Sequence, residues 1–321
     1  MTSSSTDRNR SRALAWARSQ TWAIERHALD LVLQIAAREN LPDVNAVLAR
    51  QGQPIGDTQT AQLRDGGVAV IDIVGPIFRY ANLFTQISGA TSIEVAALDL
   101  NAALADPRVR AVVLNIDSPG GAVAGVSDFA QMVRAAPKAV VSFVGGSAAS
   151  AAYWIAASAP WVVTSNTGLL GSIGVVATIS VNDDDDTVEI ISSQSPNKRP
   201  DPHSDAGRAV LQSTVDDLAS VFVDAVAVYR KVSAATVLSD FGKGGVLVGG
   251  AAVAARMADQ VSTLEDVLGT FAGGGYGPAY AQLLRRATPP APKPTEQARA
   301  SPWGRITAAM NRQKAGKGGA S

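Results

Sequence analysis

Between Gly66 and Val176 the sequence alternates short β-branched runs with helix-patterned stretches, and the runs end in clusters of small residues. Val68–Val74 stops at Gly75-Pro76. Ala111–Ile116 stops at Asp117-Ser118-Pro119-Gly120-Gly121. Ala139–Val144 runs into a turn at Gly145-Gly146-Ser147, and Trp161–Thr164 forms a further run. Gly171-Ser172-Ile173-Gly174 reads as a turn entering another strand at Val175-Val176. Helices are predicted over Ser92–Ala105, Val126–Arg134 and Ala148–Ala157. In the first, Ser92 is the N-cap and Val95, Leu98 and Leu104 face inward. Strand, helix, strand at this spacing is the signature of βαβ units. It predicts an α/β fold with a mainly parallel sheet covered by helices.

Composition narrows the chemistry. Aromatics are 5% of the 321 residues while the hydrophobic share is 46%, so the core is packed from Ala, Val and Gly and backbones can approach closely. Lys plus Arg equals Asp plus Glu at 28 each, which excludes a whole-chain basic field for nucleic acid. The absence of cysteine removes disulfides, thiol nucleophiles, zinc–thiolate sites and iron–sulfur clusters. With only His27 and His203 available, a histidine metal site is not expected, and a hydrolase here would use another base. No metal or cofactor is therefore expected. No apolar run has the density of a membrane span, so no membrane partner and a cytoplasmic location are expected.

Four regions are read along the chain. Residues 1–12 are polar and basic, a disordered N-terminus. Residues 13–60 form a helical N-terminal segment, with a helix or helical pair over 13–38 carrying Leu14, Ala17, Ile24, Leu31, Leu33 and Ile35, and a short helix over 43–50. Residues 66–268 are the α/β domain, including a long amphipathic helix over 208–229 with Leu211, Val215, Leu218, Phe222, Val226 and Tyr229 on one stripe. Residues 269–321 are a flexible Gly/Pro-rich tail, with eight Lys/Arg against Glu296 alone from Arg285 onward.

The motifs of interest are strand ends. In Asp117-Ser118-Pro119-Gly120-Gly121 the proline fixes a turn, and the glycines let another backbone approach and turn their N–H groups toward an oxygen. In Gly145-Gly146-Ser147-Ala148-Ala149-Ser150-Ala151-Ala152-Tyr153-Trp154 a strand passes to a helix, placing Ser150 near the helix N-terminus. There its hydroxyl is either a nucleophile, with the Ala151 N–H facing a developing oxyanion, or Ser147 or Ser150 is simply the N-cap. Consecutive βα connections of a parallel sheet emerge at one carboxyl edge, so Gly121 and Ser150 are expected together. The third motif is Ser195-Pro196-Asn197-Lys198-Arg199-Pro200. A serine needs a base, and with two histidines in the chain a lysine is the natural alternative. Lys198 is either that base, held neutral by burial or a neighbouring cation, or a solvated loop lysine.

D-S-P-G-G, then A-S-A-A-Y-W-I-A, then L-L-G-S-I-G-V-V, then S-P-N-K-R-P-D resemble, in order, the signal peptide peptidase A and phage capsid protease family of serine proteases. The resemblance covers roughly Val68 to Leu268. It implies a Clp protease/crotonase-like α/β fold, with Ser150 as nucleophile, Lys198 as general base and Ser172 orienting the lysine amine. The backbone N–H groups of Gly121 and Ala151, with Gly120 beside them, would form the oxyanion hole. The absence of an anchor and the helical N-terminal segment resemble the phage head-maturation branch. That implies scaffold and capsid proteins as substrates, a procapsid or host-cytoplasm location, and a homo-oligomeric ring in which neighbouring protomers share sites. The sequence departs from the family's pattern at Asn182–Asp186, where relatives carry a longer connection, and at Ala255–Asp259, where a Gly-Leu pair is usual. Two alternatives stand beside this reading: a crotonase-like acyl-CoA enzyme, and a non-catalytic capsid assembly or scaffold protein with a degenerate protease domain.

Overall fold

The computed structural model describes residues 20–36, 61–80, 90–179 and 191–272, all within one compact unit. The expectations for residues 1–12, for the helix over 43–50, for Asn182–Asp186 and for residues 273–321 lie outside the described residues.

The larger sheet is built on β3 (Val68–Val74), β6 (Ala111–Ser118) and β8 (Ala139–Ala149), all parallel. On the edge away from β6, β8 serves two neighbours. Its first half pairs in parallel with β9 (Trp161–Thr164), and its second half with β10 (Leu169–Gly171). Short antiparallel strands close the two edges: β2 (Gln62–Arg64) on β3 and β12 (Val246–Val248) on β10. β13 (Gln260–Val261) extends the branch from β9. The α/β class with parallel segments is as the alternation predicts. Central strands such as Val112, Val113 and Leu114 are fully buried, which is why they read as continuous apolar runs.

A second, smaller sheet has the order β11-β1-β7-β4-β5. Its strands are β1 (Thr21–Ile24), β4 (Ile77–Phe78), β5 (Thr91–Ser92), β7 (Gly120–Ala122) and β11 (Val176–Ala177). β1 corrects the sequence reading. Of the helix or helical pair expected across 13–38, the described part is the helix α1 (Arg26–Ala36), but Thr21–Ile24 before it is extended; residues 13–19 and 37–38 lie outside the described residues. The tertiary ladder wins because both edges of β1 find partners, β7 and β11. Trp22 then packs edge-on against Phe78 with ring centroids 5.8 Å apart, in a satellite core with Ile24, Leu29, Val32 and Ala122.

The helices cover the main sheet. α2 (Ile93–Ala105) starts at Ser92, whose hydroxyl accepts the Val95 N–H at 3.4 Å, as expected for an N-cap. Its inward face is Ile93, Ala96, Leu100 and Ala103, while Leu98 is 64% exposed, against expectation. The helix is apolar nearly all round, so periodicity alone did not choose the face. α3 (Val126–Arg134) follows β7, and α4 (Ala151–Ser158) follows β8. β8 runs through Gly145-Gly146-Ser147 to Ala149, so the expected turn there is strand and α4 starts later than expected. The pairing of Ser147, Ala148 and Ala149 with β10 holds the two glycines extended.

α4 is buried along its whole length and forms the centre of the main core. Trp154 stacks on Phe222 with centroids 4.6 Å apart, and Tyr153 meets Phe241 edge-on. Phe222 belongs to α5 (Asp205–Arg230), which Ser204 caps by accepting the Gly207 N–H at 3.0 Å. Only the second half of the α5 stripe is core: Phe222 and Val226 are buried, while Leu211, Val215 and Leu218 are half-buried. α6 (Ala234–Asp240), α7 (Gly250–Ala254) and α8 (Leu264–Ala272) complete the unit, and α8 reaches past the expected start of the tail. Among the described residues no helix is long and apolar enough to cross a membrane.

Candidate active site

β8 passes into α4 through Ser150. Its backbone stands at φ 55°, ψ −120°, a region that glycine populates and that costs another residue about 1–3 kcal/mol. Three contacts fix the residue. Its N–H donates to the Gly171 carbonyl at 2.6 Å, and its own carbonyl accepts the Trp154 N–H at 3.0 Å. Its hydroxyl makes a long contact of 3.5 Å to the Gly174 carbonyl. The hydroxyl makes no capping bond to α4, and the Ser147 hydroxyl is buried without a partner. Neither serine caps the helix, so that alternative is removed. The first N–H groups of α4, beginning with Ala151, have no acceptor within the helix.

The D-S-P-G-G segment is built against this turn. The Ser118 hydroxyl donates to the Gly75 carbonyl at 2.7 Å and accepts the Gly120 N–H at 3.2 Å. The Asp117 carboxylate accepts the Ser147 N–H at 2.9 Å. A Cβ added at Gly146 would overlap that carboxylate, so a larger residue there would push the Asp117 side chain off the Ser147 N–H. Gly120 has φ 100°, and an added Cβ would overlap the Ala23 carbonyl oxygen and lie 3.0 Å from Ser150 Cβ. The structure therefore sets Gly120 against Ser150. Gly121 and Ala151 are the next residues along the two segments, and all four are buried.

Ser172 sits just beyond the carbonyl that holds the Ser150 N–H. It too has a positive φ, 53°, and its N–H donates to the Gly245 carbonyl at 2.6 Å. Ser150 and Ser172 are thus tied to one another through β10.

Lys198 makes no hydrogen bond to these groups among the described residues. It ends a single 3-10 turn, Pro196–Lys198, with its N–H on the Ser195 carbonyl at 3.0 Å. Its side chain is exposed, and among the described residues its amine has no hydrogen bond or ion pair. No basic side chain among the described residues reaches the Ser150 hydroxyl. His203 lies further along the chain and is exposed, its N–H held by the Asp201 carboxylate at 2.9 Å.

Charge behind the site is structural. Tyr153 is fully buried, donates to the Met257 carbonyl at 3.1 Å, and burial pushes its phenol well above the ordinary range, so it stays a neutral donor. The Arg230 guanidinium grips Asp259 at 2.8 and 3.1 Å and also donates to the Arg256 carbonyl at 2.9 Å. Asp259 in turn accepts the Val162 N–H at 2.8 Å, anchoring β9 to the end of α5. Among the described residues no group of His, Asp or Glu side chains converges as metal ligands.

Two contributors escaped the sequence reading. Asp117 stood inside a quoted motif, but its bond to Ser147 joins residues 30 apart. β1 carries Thr, Trp and Ile, all strand formers, and that local signal could have found it.

Residues 133–273 match peptidase family S49, a span that holds Ser150, Ser172 and Lys198 and starts beyond Gly121. Capsid assembly protease C of Escherichia phage lambda is 28% identical over 234 residues, 70% of this chain and 53% of that protein. Head-tail preconnector protein GP5 of Enterobacteria phage P21 is 35% identical over 112 residues, 34% of this chain and 22% of that protein. Protease 4 of Salmonella typhi is 38% identical over 119 residues, 36% of this chain and 18% of that protein. The chain spans about half of the lambda protein and less of the other two. The segment that carries the strand-to-helix serine, residues 133–273, is thus similar to peptidase family S49.

Proposed function

We propose that the chain is a serine endopeptidase of a phage head, cutting scaffold and capsid proteins inside the procapsid or host cytoplasm. Ser150 is the nucleophile and Lys198 the general base, with Ser172 orienting the lysine amine. Gly121 and Ala151, with Gly120 beside them, supply the backbone N–H groups for the oxyanion. The observation that carries the proposal is Ser150 itself: a non-glycine residue at φ 55° on a strand-to-helix turn, caps nothing, and abuts Gly120. The fold assigned to this reading is Clp protease/crotonase-like. Support comes from the parallel β3-β6-β8-β10 sheet with the serine at its carboxyl edge. The relatives named as capsid protease and preconnector support the phage setting. They do not favour the acyl-CoA enzyme or the non-catalytic assembly protein.

The chemistry follows from these roles. A neutral Lys198 amine takes the Ser150 hydroxyl proton while Oγ attacks the scissile carbonyl carbon. The carbonyl π pair moves onto oxygen, and two backbone N–H groups stabilise the charge. Collapse breaks the C–N bond, and the protonated lysine gives its proton to the leaving amine. Water then adds to the acyl-enzyme with the lysine again as base. Lys198 is exposed in a lone chain, so this reading takes the amine from a neighbouring protomer of a homo-oligomeric ring. The half-buried Leu211, Val215 and Leu218 on α5 suit such an interface.

The test mixes wild type, Ser150→Ala and Lys198→Ala with capsid and scaffold proteins. Cleavage by wild type alone is expected. Full activity in Lys198→Ala would remove the dyad, and full activity in Ser150→Ala would remove the nucleophile.

A further inference from the structure

Ser150 is 1% exposed, which no incoming polypeptide can reach as it stands. This chain's own β1 lies across the turn. It enters between β7 and β11, antiparallel to both, with Trp22 opposite Ala122 and Val176, Ala23 opposite Gly121, and Ile24 opposite Gly120. At the ends of the ladder the Val123 N–H donates to the Thr21 carbonyl at 3.1 Å, and the Glu25 N–H to the Pro119 carbonyl at 3.0 Å. These bonds set the phase. Bonded pairs alternate in an antiparallel ladder, so Ala23 and Gly121 turn their N–H and C=O groups toward one another. The Ala23 carbonyl oxygen and Ser150 Cβ also flank a single point, the place a Gly120 Cβ would take.

Those are the features of a bound extended peptide. The main chain is paired on both edges. Trp22 and Ile24 are seated with Phe78, Leu29 and Val32, and the small residue between them carries its carbonyl to the glycines. We propose that Thr21–Ile24 is the resident occupant of the peptide-binding groove of this site. Substrate binds there as an extended strand between β7 and β11, a small residue in the place of Ala23 and large apolar residues on either side. It must first displace β1. The inference rests on the assignment of Ser150 as the reacting group. Main-chain pairing gives such a strand its affinity, and the alternate pockets give its specificity. Because β1 is tethered, its effective concentration is in about the millimolar range, enough to hold off weak peptides.

The test uses a fluorescein-labelled peptide of residues 20–25, Gln-Thr-Trp-Ala-Ile-Glu, titrated into the full-length chain and into full-length Ala23→Pro. Proline removes the N–H that faces Gly121 and leaves the apolar anchors in place. The peptide is expected to bind the variant about tenfold or more tightly than wild type, since the tethered competitor is weakened. Equal affinity, or no binding to a variant with wild-type circular dichroism, overturns the proposal. Should Ala23→Pro fail to fold, hydrogen exchange on wild type decides: excess peptide must speed exchange of the Ala23 and Glu25 amides, and unchanged exchange overturns it. The titration is repeated in Ser150→Ala, where binding is expected to persist. A chain that binds the peptide but whose Ser150 never reacts with a fluorophosphonate upholds the groove and sinks the nucleophile assignment.

Discussion

The Asp117 carboxylate accepts the Ser147 N–H at 2.9 Å, joining the end of β6 to the last stretch of β8 before Ser150. A carboxylate accepting a backbone N–H contributes about 1.5–3 kcal/mol at most, and less where it is exposed, as Asp117 is. Its larger effect should be positional. Asp117→Ala is expected to lower the melting temperature only slightly and to cut fluorophosphonate labelling of Ser150 about tenfold or more, as small misplacements do. Asp117→Asn, which keeps an acceptor, should recover part of that rate. Equal labelling in Asp117→Ala and wild type would show that the bond positions nothing.

Gly120 and Gly121 have no room for a methyl group. At Gly120 the new Cβ meets Ala149 O at 2.9 Å and Ser150 Cβ at 3.0 Å, and φ 100° is already unfavourable. At Gly121 it overlaps the Ile77 backbone, with Ile77 N at 2.5 Å. Both alanine variants should lose about 1–3 kcal/mol of stability, with Ser150 labelling falling below detection. Denaturant unfolding checks the first claim. Wild-type stability in either variant would mean that the two segments are looser than described.

The stacked pair of Trp154 and Phe222 clamps α4 to α5. Phe222→Ala opens a cavity beside a fully buried ring and should cost about 3–5 kcal/mol. Trp154→Phe should be much milder. It loses volume but also deletes an indole N–H that is buried without a partner. Chemical denaturation of both variants should separate them, and a Trp154→Phe loss as large as that of Phe222→Ala would contradict the account.

The Arg230–Asp259 pair is the most buried ion pair described, with the arginine side chain 6% exposed. Burial acts to lower the arginine's proton affinity, but the Asp259 bond and charge more than offset it, and the net shift is upward. Asp259→Ala strands that cation and frees the Val162 N–H, so a loss of about 3–5 kcal/mol is expected. A thermal scan that shows no shift would argue against it.

Acid should loosen the turn after α2. The side-chain bond from Arg108 is the first cause that holds Asp106 at about 2, below its ordinary value of 3.8. A carboxylate depressed in the folded state adds stability above its unfolded value and loses it as pH falls through the folded one. The Asp106 contribution should therefore fade between about pH 4 and pH 2. Asp106→Asn should flatten that part of a melting-temperature profile, and profiles that stay parallel would refute the assignment.

What the sequence determined by itself is local. Continuous apolar runs made β3, β6 and β9 legible, because a strand buried on both faces shows its burial in its own residues. Ser92 and Val126–Arg134 were legible for the same reason, since a cap and a helical period are written within a few residues. Ser150, Gly120 and Gly121 could be named because strand ends of a parallel sheet share an edge. The tertiary structure decided everything whose partner lies far along the chain. Thr21–Ile24 is a strand because Gly120–Ala122 and Val176–Ala177 flank it. Gly145-Gly146 is extended because β10 pairs beside it. Leu98 faces water because α2 meets the sheet through its other side. Short elements of this kind gain too little from their own residues to fix a conformation, so distant hydrogen-bond ladders and packing choose it for them.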